Sequence, residues 1–252
     1  MLSRNFRLQK VGNYEWLKKN YNFSKISFSI DELIILDVSR NKQGTEEFYE
    51  YVGLLTEECF VPIAAGGGVR DLEQARKLLQ SGADKVVVNT LLVENSDVIK
   101  DIVREFGQQC TVASIDVKKS DSGYKVWTHN GCIQQSEPLE YWIESAANLP
   151  VGEIYLNSID RDGTGHGYQF DLIKHIPQGI SVPVIMAGGA GQYLHLNEGL
   201  NHESIDAVAT AHLFNFVGTG LKNARIELIK NGHDLPDWDV DLASQLKNIL
   251  SS

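Results

Sequence analysis

Asp116 closes the apolar run of CTVASIDVKK (110–119), and period-two alternation points Ser114 and Asp116 to the same side. A carboxylate moved toward neutral pKa by partial burial can serve as a general acid or base. An aspartate so placed can equally orient Lys118 or Lys119. Two glycine clusters suggest a second chemistry, Gly66-Gly67-Gly68 in VPIAAGGGVR and Gly188-Gly189-Ala190 in VPVIMAGGAG. Glycines let backbone N–H groups approach phosphate oxygens, and a following helix N-terminus adds a favourable dipole. One such run reads equally as a tight strand-to-helix turn, whereas two at matched spacing favour two phosphate sites. The first would join Gly67 and Gly68 to Asn89 and Thr90. The second would join Gly188 and Gly189 to Ala211 and His212, with Asn157, Asp162 and Gly163 nearby. A third set, Glu32, Lys85 and Glu153, opens successive even-numbered strand-like runs. Alternation with Leu36, Asn89 and Asn157 aims all three inward, where they should meet as a ring. Such a ring is either a structural salt-bridge plug or a polar gate through which a small molecule enters from a partner docked below.

These positions belong to a half-chain repeat. Gly66 and Gly188 lie 122 residues apart, as do Asp84 and Asp206, and Glu32 and Glu153 lie 121 apart. The segment 110–119 has no twin, because its partner would fall upstream of Met1. An architecture of eight strands is therefore expected, with seven supplied and the first absent. Strand signals at ELIILDV, VPIAAGG, DKVVVNT, TVASIDV, GEIYLNS, VPVIMAGG and IDAVATA alternate with helical stretches, including NYEWLKKNYNF with Asn13 as its cap and QFDLIKHI. YKVWTHNGCIQQ reads as a β-hairpin turning at Asn130-Gly131. Nearly continuous apolar strands imply a parallel sheet covered by helices. The repeat favours a closed α/β barrel over an open doubly wound sheet, and no GxGxxG follows the first strand signal.

The 252 residues suit one barrel domain, with a first half over about 1–109, a second over about 110–232 and a tail from 233 to 252. A net charge of −10 argues against general nucleic-acid binding. Cys59, Cys110 and Cys132 lack ligand spacing and read as reduced cytoplasmic thiols, so no metal or cofactor is expected. No apolar run reaches membrane-spanning length.

Taken together, SIDRDGTGHGY, DELIILD, GADKVVVNT, ASID and AGGAG resemble the cyclase subunit of imidazole glycerol phosphate synthase, of histidine biosynthesis, from about Asn5 to Ile229. The resemblance implies a (β/α)8 TIM barrel that binds a two-phosphate substrate at its upper mouth. It implies a glutaminase docked on the lower mouth, sending ammonia through the barrel past a charged gate. Asp116 then matches the catalytic acid, and Gly68, Asn89 and Thr90 match one phosphate site. Asp162, Gly163, Gly189, Ala211 and His212 match the other, with His212 in place of a usual serine. Glu32, Lys85 and Glu153 match three gate members. The family's first strand carries the catalytic base, a lysine and a gate arginine, and this sequence joins the family just after them. Asn157 replaces a usual threonine. ECFVPIAAGGGVR, LDVSR and LNSIDRDG look more like a divergent branch encoded with surface-polysaccharide genes, which is thought to assist a sugar amidotransferase in converting an acetamido to an acetamidino group. Tyr155, larger than the usual residue, hints at a repacked tunnel. Three readings follow: an ammonia-using cyclase subunit, a paralogue channelling ammonia for glycan modification, or a non-catalytic truncated barrel.

Overall fold

The computed structural model describes residues 2–9, 13–39, 45–215 and 219–238. In chain order the first half contains β1 (Leu2–Arg4), β2 (Arg7–Gln9), α1 (Tyr14–Asn20), α2 (Phe23–Ile26), β3 (Leu33–Leu36), α3 (Glu46–Glu58), β4 (Ile63–Gly66), α4 (Leu72–Gln80), β5 (Lys85–Val88), α5 (Leu91–Glu94) and α6 (Ser96–Phe106). The second contains β6 (Thr111–Ser120), β7 (Gly123–Thr128), β8 (Ile133–Pro138), α7 (Leu139–Ala147), β9 (Glu153–Ser158), β10 (Val184–Ala187), α8 (Tyr193–Leu200), β11 (Ala207–Val208) and α9 (Gly220–Lys230). Seven strands pair in parallel in the order β3-β4-β5-β6-β9-β10-β11. This is the α/β order of a (β/α)8-type barrel, with seven parallel strands among the described residues. Among the described residues no ladder joins β3 to β11.

Alternation decides which side chains face the helices. Val86 and Val88, Ala113 and Ile115, and Ile154 and Leu156 belong to the large core between sheet and helices. The residues between them turn the other way: Val87, Val112 and Tyr155 pack with Ile34 and Ala64, one residue from each of five neighbouring strands. The helices meet the sheet at helical spacing, α3 through Tyr49, Val52 and Leu55 and α7 through Leu139, Ile143 and Ala146. Their starts are capped from the sequence: Asn13 accepts from Trp16 N at 3.0 Å, Thr45 from Phe48 N at 3.3 Å and Asp71 from Gln74 N at 2.8 Å.

The half-chain repeat is repeated in hydrogen bonds. Asp84 Oδ2 accepts from Ile63 N and Asp206 Oδ2 from Val184 N, each at 2.8 Å. Pro62 O accepts from Leu33 N at 3.0 Å, and Pro183 O from Ile154 N at 2.9 Å. Each set ties the start of one strand to its neighbour.

The structure departs from the sequence reading in three places. QFDLIKHI forms a six-residue 3-10 helix, Phe170–His175. Bounded by Gly167 and Pro177, it is too short to nucleate an α-helix. β6 runs past the barrel mouth and pairs with β7 from Asp116↔Trp127 to Ser120↔Gly123, so the β7–β8 hairpin extends the sheet. The polar start folds into an antiparallel hairpin, β1–β2, turning at Asn5 and Phe6 with φ of 52° and 59°. The tail expected from residue 233 is described as far as 238. There Arg225, 7% exposed, donates to Pro236 O at 2.8 and 2.9 Å and to Asp31 at 2.8 and 3.1 Å.

Asp84→Ala and Asp206→Ala should each lower unfolding free energy by about 1–3 kcal/mol, the cost of orphaning a buried amide. Because the two pairs lie in different halves of the sheet, the double variant's loss should be the sum of the single losses in urea denaturation.

Candidate functional site

The residues that alternate inward on β5, β6 and β9 form one column. At its upper end the β6–β9 register pairs Asp116 with Asn157. Asn157 Nδ2 donates to Asp116 Oδ1 at 2.8 Å, and Asn89 Nδ2 donates to Asp116 Oδ2 at 3.3 Å and to Ser114 O at 3.0 Å. Burial raises the Asp116 pKa to about 7, outweighing the hydrogen bond from Asn157, and the charge of Asp162 pushes the same way. A carboxyl that is half-protonated near neutrality, with neutral amides on both oxygens, can give or take a proton at the mouth.

The glycine loops follow β4 and β10. Gly67 and Gly189 have φ of 108° and 112°. A side chain on Gly67 would strike the Asp37 carbonyl, and one on Gly189 the Gly167 carbonyl. Close backbone approach therefore requires glycine at both places. Gly68 and Gly188 share the positive φ, at 71° and 87°. Thr90 precedes α5, where its Oγ1 accepts from His129 N at 3.4 Å, close to Asn89. Ala211 is exposed, and His212 begins a 3-10 turn with its ring close to Gly165.

Asp162 and Gly163 lie under the N-terminal hairpin. Ser3 Oγ donates to Asp162 Oδ2, Asn5 N donates to Asp162 O at 2.9 Å, and Gly163 abuts the Ser3 carbonyl. Sequence reasoning missed this contact, because two three-residue strands leave too short a pattern to read. It also missed His129, held at φ 53° in the β7–β8 turn with Nε2 3.0 Å from Glu94 Oε1.

At the lower end Lys85 Nζ lies 2.5 Å from Glu32 Oε2 and 2.7 Å from Glu153 Oε1. All three side chains are largely buried. Burial works against the Lys85 charge, but the bonds to Glu153 and Glu32 prevail and leave its pKa raised. Burial also raises the pKa of Glu32, in spite of the adjacent ammonium. Glu32 Oε1 and Glu153 Oε2 are buried without a hydrogen-bond partner among the described residues. No His/Cys/Asp/Glu group suited to a metal ion occurs among the described residues, and no helix there is long and apolar enough to cross a membrane.

Comparison with known proteins shows the family. The family model described as histidine biosynthesis protein matches residues 18–218. The chain belongs to that family. A relative from Parasynechococcus marenigrum (strain WH8102), provisionally named imidazole glycerol phosphate synthase subunit hisF2, is 48% identical over 224 residues, covering 89% of this chain and 83% of that protein. Proteins named imidazole glycerol phosphate synthase subunit HisF are 37% identical in Chlorobium limicola and 38% identical in Streptomyces coelicolor. They cover 80% and 81% of this chain, and the same shares of their own length.

Two predictions concern the column of this histidine-biosynthesis family member. Lys85→Met leaves two buried carboxylates without their cation and should cost about 3–5 kcal/mol in chemical denaturation at pH 8. Asp116 has a folded pKa above its unfolded value, so its stabilising contribution is full below the unfolded value, near pH 3.8, and is lost as pH rises through about 7. Asp116→Asn should therefore flatten the pH dependence of stability between about pH 4 and 7.

Proposed function

We propose that the chain acts as an imidazole glycerol phosphate synthase-type cyclase subunit. In this reading Asp116 moves the proton at the upper mouth, and its carboxyl is held ready by Asn89 and Asn157. Gly67, Gly68, Asn89 and Thr90 hold one phosphate, while Gly188, Gly189, Ala211 and His212 hold the other, with Asp162 and Gly163 beside the N-terminal hairpin. Ammonia from a glutaminase partner on the lower face passes the ring of Glu32, Lys85 and Glu153. The observation that carries the proposal is the Asp116 carboxyl, with a pKa of about 7 at one end of the same inward column that holds the charged ring at the other.

A second reading rests on the divergent motifs and on Tyr155, which fills the column between ring and carboxyl. The 48% identity to the protein named hisF2, above that to the HisF proteins, supports a paralogue of the synthase subunit but not its substrate. Under this reading the barrel channels ammonia to a sugar amidotransferase in surface-polysaccharide synthesis.

Purified full-length chain supplied with ammonium chloride and the cyclase's two-phosphate substrate distinguishes the two. The cyclase reading expects turnover whose kcat/KM inflects near pH 7 and falls at least about 100-fold in Asp116→Asn. Folded protein with no turnover would refute it and favour the channelling paralogue.

A further inference from the structure

The two glycine loops share a clamp that lies outside the glycines themselves. In the first half, Arg70 N donates to Gln74 Oε1 at 2.7 Å. In the second, Gly191 N donates to His195 Nδ1 at 3.1 Å. Each acceptor sits four residues beyond the amide it binds, in the first turn of the helix leaving the loop. The two acceptors are 121 residues apart, the offset of Glu32 and Glu153. The second clamp reaches its loop twice, because the His195 ring also backs Gly167, where an added Cβ would lie 3.4 Å from Cδ2. Gly167 N in turn donates to Gly189 O at 2.8 Å.

We infer that Gln74 and His195 are positioning residues that hold the two phosphate loops in shape, and that only the second loop is thereby made sensitive to pH. The inference rests on the reading of both loops as phosphate sites. To accept from Gly191 N–H, His195 must be neutral with its proton on Nε2, and the Gln192 side-chain amide 3.1 Å away must then turn its oxygen, not its nitrogen, to that proton. Protonation of Nδ1 abolishes that bond, whereas the Gln74 amide does not titrate. The titratable groups facing the ring are Glu198 on its own helix and His166 on the loop after β9. Burial lowers the His195 pKa, Glu198 raises it and His166 lowers it further, so the clamp is intact at neutral pH and opens as pH falls below the ordinary histidine range.

The test is a titration of ¹⁵N-labelled full-length protein with inorganic phosphate, reading the Gly68 and Gly189 amides in the same sample at pH 7.5 and 5.5. The first loop then corrects for the titration of phosphate itself. The second loop should weaken relative to the first at pH 5.5, toward a limit of about 3–10-fold for the fully protonated ring, the worth of one hydrogen bond. His195→Gln, which copies the first-half clamp, should keep the affinity at pH 7.5 and erase that change. Gln74→His should confer it on the first loop. His195→Ala should weaken only the second loop, by a similar factor, already at pH 7.5.

Persistence of the pH change in His195→Gln, which retains His166 and His212, would overturn the inference. So would relative tightening of the second loop at pH 5.5, since the ring would then act as a cation on phosphate. If phosphate moves neither loop, the phosphate reading fails and the clamp is judged in phosphate-free buffer. The Gly191 amide should track the His195 titration and the Arg70 amide should not, and a Gly191 amide indifferent to the ring would refute the clamp.

Discussion

Two-residue alternation along parallel strands in fixed register is the constraint on which the structure depends. On β5 it puts Lys85, Val87 and Asn89 on one side, and on β9 it does the same for Glu153, Tyr155 and Asn157. The β6–β9 register then lays Asp116 beside Asn157 and Ser114 beside Tyr155. A slip of one residue would turn the ring, the apolar layer and the acid toward the helices together. Val86, Ile154 and Leu156, each 0% exposed, would turn inward in exchange, so outer packing resists the slip. The core outside the sheet thereby fixes the chemistry inside it.

That coupling explains how much could be read from the residues. Strand positions were legible because β4 and β10 are apolar throughout and β5 nearly so, and because each half repeats the other. The meeting of Glu32, Lys85 and Glu153 was legible from alternation alone. The hydrogen bonds around Asp116 were not: Asn89 read as a phosphate ligand, and only register shows its amide on the carboxylate. The N-terminal hairpin on Asp162 and the Gln74 and His195 clamps also stayed hidden. The hairpin joins residues about 160 positions apart, and the clamps use side-chain acceptors of two different types.

The glycines call for a different weighing. Gly67 and Gly189 are required by carbonyls that crowd their Cα atoms, whatever the loops bind. Their presence therefore carries little information about phosphate. More weight falls on the matched placement of the loops, each at the carboxyl end of a strand and just before a helix, because barrel chemistry gathers at that face.

The two ends of the column show burial and pairing in competition. At the upper end the partners of Asp116 are neutral amides, so burial prevails and the carboxyl titrates near neutrality. At the lower end a full positive charge lies against Glu32, yet burial still raises that carboxyl. One ammonium shared between two carboxylates cannot balance both, and each glutamate keeps one buried oxygen without a partner among the described residues. A plug built for stability alone would satisfy those oxygens or replace the three charges with apolar side chains, which cost less to bury. An under-compensated acidic ring is instead suited to a small polar solute that donates hydrogen bonds. On the proposed reading, this argues for passage over plugging at the lower end and agrees with a proton-exchanging carboxyl at the upper end of the same column.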